Sequence, residues 1–546
     1  MVTPTENPAE KLLRRYTKAK ERRSVWEAHW RECYDYALPQ RDSAIIDTVP
    51  GEKKTDNLFD ATAPTAVDQL AASLLAQLTP PWGRWFGLAP GPGLNPEEKK
   101  RASALLDRTG EILRSHFDRS NFAMEMHQCY LDLVTVGTAS LLFEEAPLGE
   151  SSAFRFTAAP LSEVVLEEGP SGRPDTTFRR SLMTLAALKA RFPEASFPPE
   201  MERTSADDPD RRHTVIEAVT PEEHGYGYAA FVSENHGAKD SPILLREGRF
   251  ASSPFINFRW LKAPGEVYGR SPVMRALPDI KTVNKVVELI LKNATISVTG
   301  IWQADDDGVL NPATIRLTPG AIIPKAVGSS GLQPLKAPGS FDTSQLVLKE
   351  LRDNIRIALL GDKLGQPGAP TMTATEVLER AAEMARILGA TYGRLQSELL
   401  TPLILRAVSI LRRRGEIEPL RIDGRTIDLQ YRSPLALAQA RQDAEATLSW
   451  VSSISPLGGE AMAAVDMAGL ARWLAESMGV PSNLLRPSSP ATPGAGLPDM
   501  SALMTSLPRT ADGASLDLTA LETMLKEALG PQAAVSPLPQ EVTHEP

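Results

Sequence analysis

Three stretches hold residue types that do chemistry in other proteins, and each lacks a part its chemistry needs. Gly361-Asp362-Lys363-Leu364-Gly365 has the glycines and lysine of a phosphate cradle. A nucleotide loop sets its lysine directly before a Ser or Thr hydroxyl, however, and Leu364 stands there. His127 and Cys129 are two ligand types close together, but zinc takes four ligands and no second pair occurs at ligand spacing. Asp305, Asp306, Asp307 and Gly308 resemble a calcium loop, yet its first ligand position is Gln303 and its closing acid position Thr314, so a hairpin turn is the better reading. No Gly-x-Ser-x-Gly elbow is present, and scattered carboxylates without a pocket make no acid/base pair. The expectation is a protein that is not an enzyme, with no catalytic residue, no metal and no cofactor.

The elements around these stretches explain their placement. From Pro8 to Asp35, charged residues alternate with Leu12, Leu13, Tyr16, Val25, Trp26 and Trp30, the pattern of an amphipathic helix. A second helix reads from Ala63 to Leu78 and stops at Pro80, Pro81, Trp82 and Gly83; helical patterning resumes from Glu97 to Tyr130. From Ala153 to Trp260 short β-branched and aromatic runs (Glu163 to Leu166, Thr214 to Val219, Tyr226 to Val232, Phe255 to Trp260) alternate with turn-rich stretches, giving a β-rich part.

Asp279 to Ile296 is again helical, with Lys281, Lys285, Glu288 and Lys292 on one side and apolar residues over the rest. Phe341 to Leu360 mirrors it: Gln345, Lys349, Arg352, Asp353 and Arg356 share a face opposite Leu346, Leu348, Leu351, Ile355 and Leu359. Such helices want neighbours on nearly every side. Between them, Ser297 to Ser340 reads as extended runs around the Asp305–Gly308 turn, a projecting hairpin. After a loop from Gly361 to Thr371, a capping box at Thr373 and Glu376 opens a helix that runs to Arg414, about 63 Å if straight. Pro402 removes a backbone donor inside it and predicts a bend. Pro434 to Met478 is helical, and beyond Pro487 the composition turns to Pro, Ser, Ala and Gly, with one helical patch from Asp517 to Leu529.

Bulk properties bound the reading. A chain of 546 residues exceeds one ordinary core, and 42% hydrophobic with 23% charged residues suits a folded, soluble protein. The segment from Met1 to Ser24 lacks an apolar stretch, so no secretory leader is expected. Runs such as Leu70 to Leu78 and Leu399 to Leu411 fall short of the roughly 20 residues of a membrane span. Two cysteines, Cys33 and Cys129, make no disulfide framework and suit synthesis in a reducing cytoplasm. A net charge of -9 argues against gripping nucleic acid by broad phosphate neutralisation.

Three stretches, in order, resemble the head-to-tail connector (portal) family of short-tailed bacteriophages. The first is Leu58 to Leu88, with Pro80-Pro81-Trp82-Gly83-Arg84-Trp85-Phe86, followed by Thr135-Val136-Gly137-Thr138-Ala139. The second is Gly265-Glu266-Val267-Tyr268-Gly269-Arg270-Ser271-Pro272. The third is Met372-Thr373-Ala374-Thr375-Glu376-Val377 running into Leu388-Gly389-Ala390-Thr391-Tyr392-Gly393-Arg394-Leu395-Gln396-Ser397-Glu398-Leu399-Leu400. The resemblance covers roughly 8–485; the tail beyond departs in composition.

What the resemblance implies is an α+β, mainly helical portal fold with wing, stem, clip and crown, assembled as a ring, dodecameric in this family. The chain would then divide into a helical wing part (1–150), a β-rich wing part (151–272), a stem helix (273–297), the clip (298–340) and a second stem helix (341–361). A channel loop (362–372), a long kinked wing-to-crown helix with a following strand (373–433), a helical crown (434–486) and a tail, barrel-like or loosely ordered (487–546), complete it. The implied function is a conduit at a capsid vertex of the virion for packaging and ejection of double-stranded DNA, with no membrane involved. Implied partners are further copies of the chain, terminase, major capsid and scaffolding proteins, and tail adaptor or nozzle proteins. The clip, with Asp305, Asp306, Asp307 and Gly308, is the expected docking element. DNA contact is expected to be transient and blind to sequence, through Lys363 and the stem cations Lys281, Lys285, Lys292, Lys349, Arg352 and Arg356. Helical phase leaves open whether those stripes face the bore, the capsid shell or a neighbouring subunit. The alternatives are another virion component, such as a tail adaptor or scaffold, and a DNA-processing nuclease, which would need clustered acids for metal ions.

Overall fold

A computed structural model describes residues 8–41, 53–81, 83–91, 93–233, 242–299, 302–303, 327–328, 333–334, 341–360, 389–418, 427–431, 434–454, 456 and 465–477. Within these the chain is α+β and mainly helical. Helices α1 (Pro8–Ala37) and α2 (Thr62–Leu78) lie where the apolar spacing puts them. The expected helix from Glu97 to Tyr130 is instead two, α3 (Pro96–Asp118) and α4 (Phe122–Val136), with strand β1 (Phe86–Pro90) before them. Local side chains end α3 and open α4. Ser120 Oγ donates to the Phe117 carbonyl and accepts from the Phe122 amide, while the Asn121 amide group pairs with both backbone groups of Phe156.

Strands β2 (Thr138–Glu145), β3 (Phe154–Ala159) and β9 (Phe255–Arg259) form an antiparallel sheet in the order β3-β2-β9. It packs on α4, with Phe117, Phe122, Phe143, Phe154 and Phe156 clustered between; the Phe143 and Phe156 ring centroids are 4.3 Å apart. The β-rich part is a second, five-stranded antiparallel sheet of β4 (Val164–Glu167), β5 (Thr176–Thr184), β6 (Arg212–Glu222), β7 (Gly225–Val232) and β8 (Ile243–Phe250). It includes two short helices absent from the sequence reading, α5 (Leu185–Arg191) and α6 (Pro199–Asp207). Strand alternation assigns its two faces. Ile216 and Ala218 meet Tyr16 and Ala19 of α1, whereas Val215 faces Leu188 and Met201 of α5 and α6.

Helix α7 (Pro272–Thr299) starts two turns before the expected Asp279, with Pro278 inside it, and α8 (Phe341–Ala358) packs against it. Of the insert between them, β10 (Trp302–Gln303) pairs antiparallel with β11 (Gln333–Pro334). Asp305, Asp306, Asp307, Gly308 and the loop from Gly361 to Thr371 lie outside the described residues, as do the Thr373 and Glu376 capping box and the tail. The long helix is described from α9 (Gly389–Leu395) through a π turn (Gln396–Leu400) to α10 (Thr401–Arg414). Pro402 has no N–H for the Glu398 carbonyl, and the coil widens just before it. The Thr401 amide and hydroxyl both donate to the Gln396 carbonyl.

Strand β12 (Ile427–Tyr431) returns to pair antiparallel with β1. The helical stretch from Pro434 to Met478 is two helices, α11 (Pro434–Ile454) and α12 (Met467–Ser477). No described helix is long and apolar enough to cross a membrane. Cys33 and Cys129 are free and buried; burial pushes the Cys33 thiol up to about 12. Among the described residues no group of His, Cys, Asp and Glu could hold a metal ion.

Candidate functional site: the α7–α8 pair and its base

Helix α7 grows from a rigid base. Ser271 Oγ accepts the Met274 amide, capping the first turn, and donates to the Thr135 carbonyl at the end of α4. The Gly269 amide donates to Thr138 Oγ1, and the backbones of Gly137 and Gly269 run so close that a Cβ at Gly269 would stand 2.1 Å from the Gly137 carbonyl oxygen. Gly137, which ends α4 with φ 77°, is therefore fixed as glycine twice over, by conformation and by contact.

Arg259, in β9, joins this base to the long helix. It is fully buried and spans Glu398 of the π turn, with Nη2 to Oε1 at 2.7 Å and Nε to Oε2 at 3.2 Å. Its remaining donors reach the Val267 and Gly172 carbonyls, and Arg394 adds a second guanidinium to Glu398 at 3.0 Å. The Thr135–Ala139, Gly265–Pro272 and 389–400 stretches thus meet at one junction. Arg406, on α10, is a second buried arginine. It donates to the Phe143 and Ser252 carbonyls, and burial, together with the charge of Arg413, lowers its pKa to about 10. Sequence reading missed Arg259, Glu398 and Arg406, because a lone charge in an apolar run does not announce its burial.

The cations expected on the stripes are placed as follows. Lys281 binds Glu32 of α1 at 3.0 Å and lies over the Tyr36 ring. Lys285 and Lys292 flank Glu288, at 3.0 and 2.6 Å, and their hydrogen bonds hold its carboxyl below the usual range. Arg356 pairs with Asp353, and Lys349 is exposed. Arg352 sends Nε and Nη2 to Asp60 Oδ2, at 2.9 and 2.6 Å, while Asp60 Oδ1 accepts the Thr62 amide at the start of α2. Burial pushes the Asp60 carboxyl up, but its bonds from Thr62 and Arg352 outweigh that and leave its pKa lowered. Asn284 of α7 grips the same corner, accepting from the Phe59 and Asp60 amides and donating to the Asn57 carbonyl. Lys363 lies outside the described residues.

The apolar faces differ from the sequence reading in one place. Leu348, Ile355 and Leu359 of α8 are buried, but Leu346 turns away and is 71% exposed. Ile357 on α8 and Leu289 and Leu291 on α7 are exposed at 58, 54 and 50%. At about 100° per residue, Leu289 and Leu291 stand some 80° to either side of the lysine stripe. The stripe is open in front and bordered by apolar side chains on both flanks.

Residues 9–485 match the family described as bacteriophage head to tail connecting protein. The chain belongs to that family. It is similar to the probable portal protein of Bordetella phage BPP-1, 26% identical over 503 residues, 88% of this chain and 89% of the relative. It is also similar to the portal protein of Salmonella phage epsilon15, 23% identical over 512 residues with 88 and 89% covered. A third relative is the portal protein of Enterobacteria phage T3, 21% identical over 405 residues with 71 and 72% covered. In this connecting protein three of the resembling segments, 135–139, 265–272 and 389–400, thus serve as the structural junction that mounts α7.

Proposed function

We propose that this connecting protein is the portal subunit of a short-tailed phage particle, a ring, dodecameric in form, at one capsid vertex through which double-stranded DNA enters and leaves. The observation that carries the ring is the exposure of Leu289, Leu291, Leu346 and Ile357 on helices whose other faces are already packed. Apolar area of this kind is stabilised by removal from water at roughly 25 cal/mol per Å², and a second copy on each flank of α7 supplies the cover. On this reading α7 and α8 are the stem, the insert between them is the clip that docks terminase and later the tail adaptor or nozzle, and α11 and α12 belong to the crown. Capsid and scaffolding proteins meet the outer wing.

The stem then meets DNA weakly. A helix about 27 Å long passes roughly 16 phosphate charges at a time. Lys281, Lys285 and Lys292 are offset by Glu32 and Glu288, and Lys349, Arg352 and Arg356 by Asp60 and Asp353, so each stripe keeps a small positive excess. That excess lowers the barrier to a passing polyanion without holding it. Translocation is driven by a separate ATPase, and the ring hydrolyses nothing. Lys363, in the Gly- and Pro-rich sequence that follows the second stem helix, is on this reading a further DNA contact of the bore. Lys363→Ala should assemble normally and change packaging efficiency or genome retention in a salt-dependent way; packaging and retention equal to wild type at every salt concentration reject that role.

A further inference from the structure

Helix α1 holds a charge pattern that the conduit does not use. Between Pro8 and Arg23 the acidic chain carries Lys11, Arg14, Arg15, Lys18, Lys20, Arg22 and Arg23 against Glu10 and Glu21. Two of the cations have structural tasks: Arg23 is buried on the Leu161, Ser162 and Val164 carbonyls, and Arg15 pairs with Glu167 at 2.6 Å. Lys11, Lys18 and Arg22 are exposed and have no hydrogen-bond or ion-pair partner among the described residues. At about 100° per residue these three fall within some 40° of one another, and half-buried His29 continues their line. The three cations span about 17 Å, and about 27 Å with His29.

The opposite face of α1 fixes the direction of this row. Tyr16, Ala19, Arg23 and Trp30 are buried against the sheet and α4, so the row cannot rotate inward. Two open clefts border it, one of about 710 Å³ lined by Lys11 and Arg15 with Glu222 and Glu247 on its far wall, and one of about 850 Å³ lined by Arg22 and His29 with Glu167, Glu168 and Glu266, so the acids lie beyond the clefts and the cations stand on the helix crest. Glu10, Glu21 and Glu32 lie about 60° or more to one side, so the line itself is of one sign. A straight row of long cations without an interleaved acid recognises a repeated anion. Duplex DNA presents one charge per about 1.7 Å of axis and matches it in length and sign.

We propose that the Lys11, Lys18 and Arg22 row is a second nucleic-acid contact, on the outer surface, that binds the phosphate backbone of duplex DNA without regard to sequence. It stands whether or not the chain forms a ring. The test uses the full-length protein and a covalently closed circular duplex, which cannot thread a closed channel, so that binding reports an outer surface. Wild type should bind it with affinity falling about 40-fold between 50 and 200 mM salt, as three phosphate contacts require. Lys11→Gln/Lys18→Gln/Arg22→Gln should lose most of that affinity and most of the salt slope with an unchanged circular dichroism spectrum, while Lys11→Arg/Lys18→Arg keeps both. A wild type that binds only linear duplex, or a triple variant that binds the circle as wild type does, overturns the proposal. So does polyglutamate displacing the DNA at equal charge concentration, which would make the row a site for an acidic protein. Binding of the circle by a protein that forms no rings would instead sink the conduit and leave the row standing.

Discussion

The sheet core beneath α4 and the outer half of the α7–α8 pair show opposite ways of ending a surface. Around Phe117, Phe143 and Phe156 every large apolar group is enclosed by its own chain, and the charges that enter, Arg259 and Arg406, are met by Glu398 or by backbone carbonyls. On α7 and α8 the buried side is equally well made, with Val283, Leu348, Ile355 and Leu359 in the same core, but Leu289, Leu291, Leu346 and Ile357 are left open. The same helices are complete toward the protomer and incomplete away from it. That difference separates residues that hold one subunit together from residues that need another copy, and it predicts different consequences for mutation.

On protomer stability the largest effect is expected at the junction. Arg259→Leu leaves the Glu398 carboxylate buried with its principal partner gone and should cost about 3–5 kcal/mol by chemical denaturation. Adding Glu398→Leu should recover much of that loss, because both charges are then absent; no recovery would mean that Arg259 acts mainly through the Val267 and Gly172 carbonyls.

A smaller effect is expected at the corner where α8 meets α2. The pKa of Asp60 is lowered in the folded chain, so its contribution is present above the ordinary aspartate pKa of about 3.9 and is lost as pH falls through the folded value. Asp60→Asn should cost about 1–2 kcal/mol at neutral pH, and the gap to wild type should close below about pH 4. A gap that is constant with pH would show that the charge of Asp60 plays no part.

The smallest effect on the protomer, and the sharpest break between the two regions, belongs to the open apolar residues. Leu289→Ser with Leu346→Ser should shift protomer stability by no more than about 0.5 kcal/mol, as exposed positions do, yet abolish assembly seen by sedimentation. Loss of protomer stability comparable to that of Arg259→Leu would place those leucines in the core and remove the comparison.

Much of this contrast is visible in the residues themselves. Lys281, Lys285, Glu288 and Lys292 recur at helical spacing, so the polar stripe of α7 follows from periodicity alone. Periodicity does not report the end of a helix set by long-range bonds: the break at Asn121 depends on Phe156, a strand away. Nor does it give the partners of a charge. Arg352 reads as an outward cation until Asp60, far away in sequence, is seen to accept from two of its three guanidinium nitrogens. Leu346 shows the value of exact phase: at about 100° per residue it stands some 180° from Ile355, so its exposure follows from the helix itself, and grouping it with Leu348, Ile355 and Leu359 by apolar type alone misplaces it.

The central claim, that the α7–α8 pair is finished only by further copies of the chain, is tested most directly by the mass and shape of the purified full-length protein without DNA. Sedimentation and electron microscopy should show one closed ring with a central channel. A monomer at every protein and salt concentration would contradict the account.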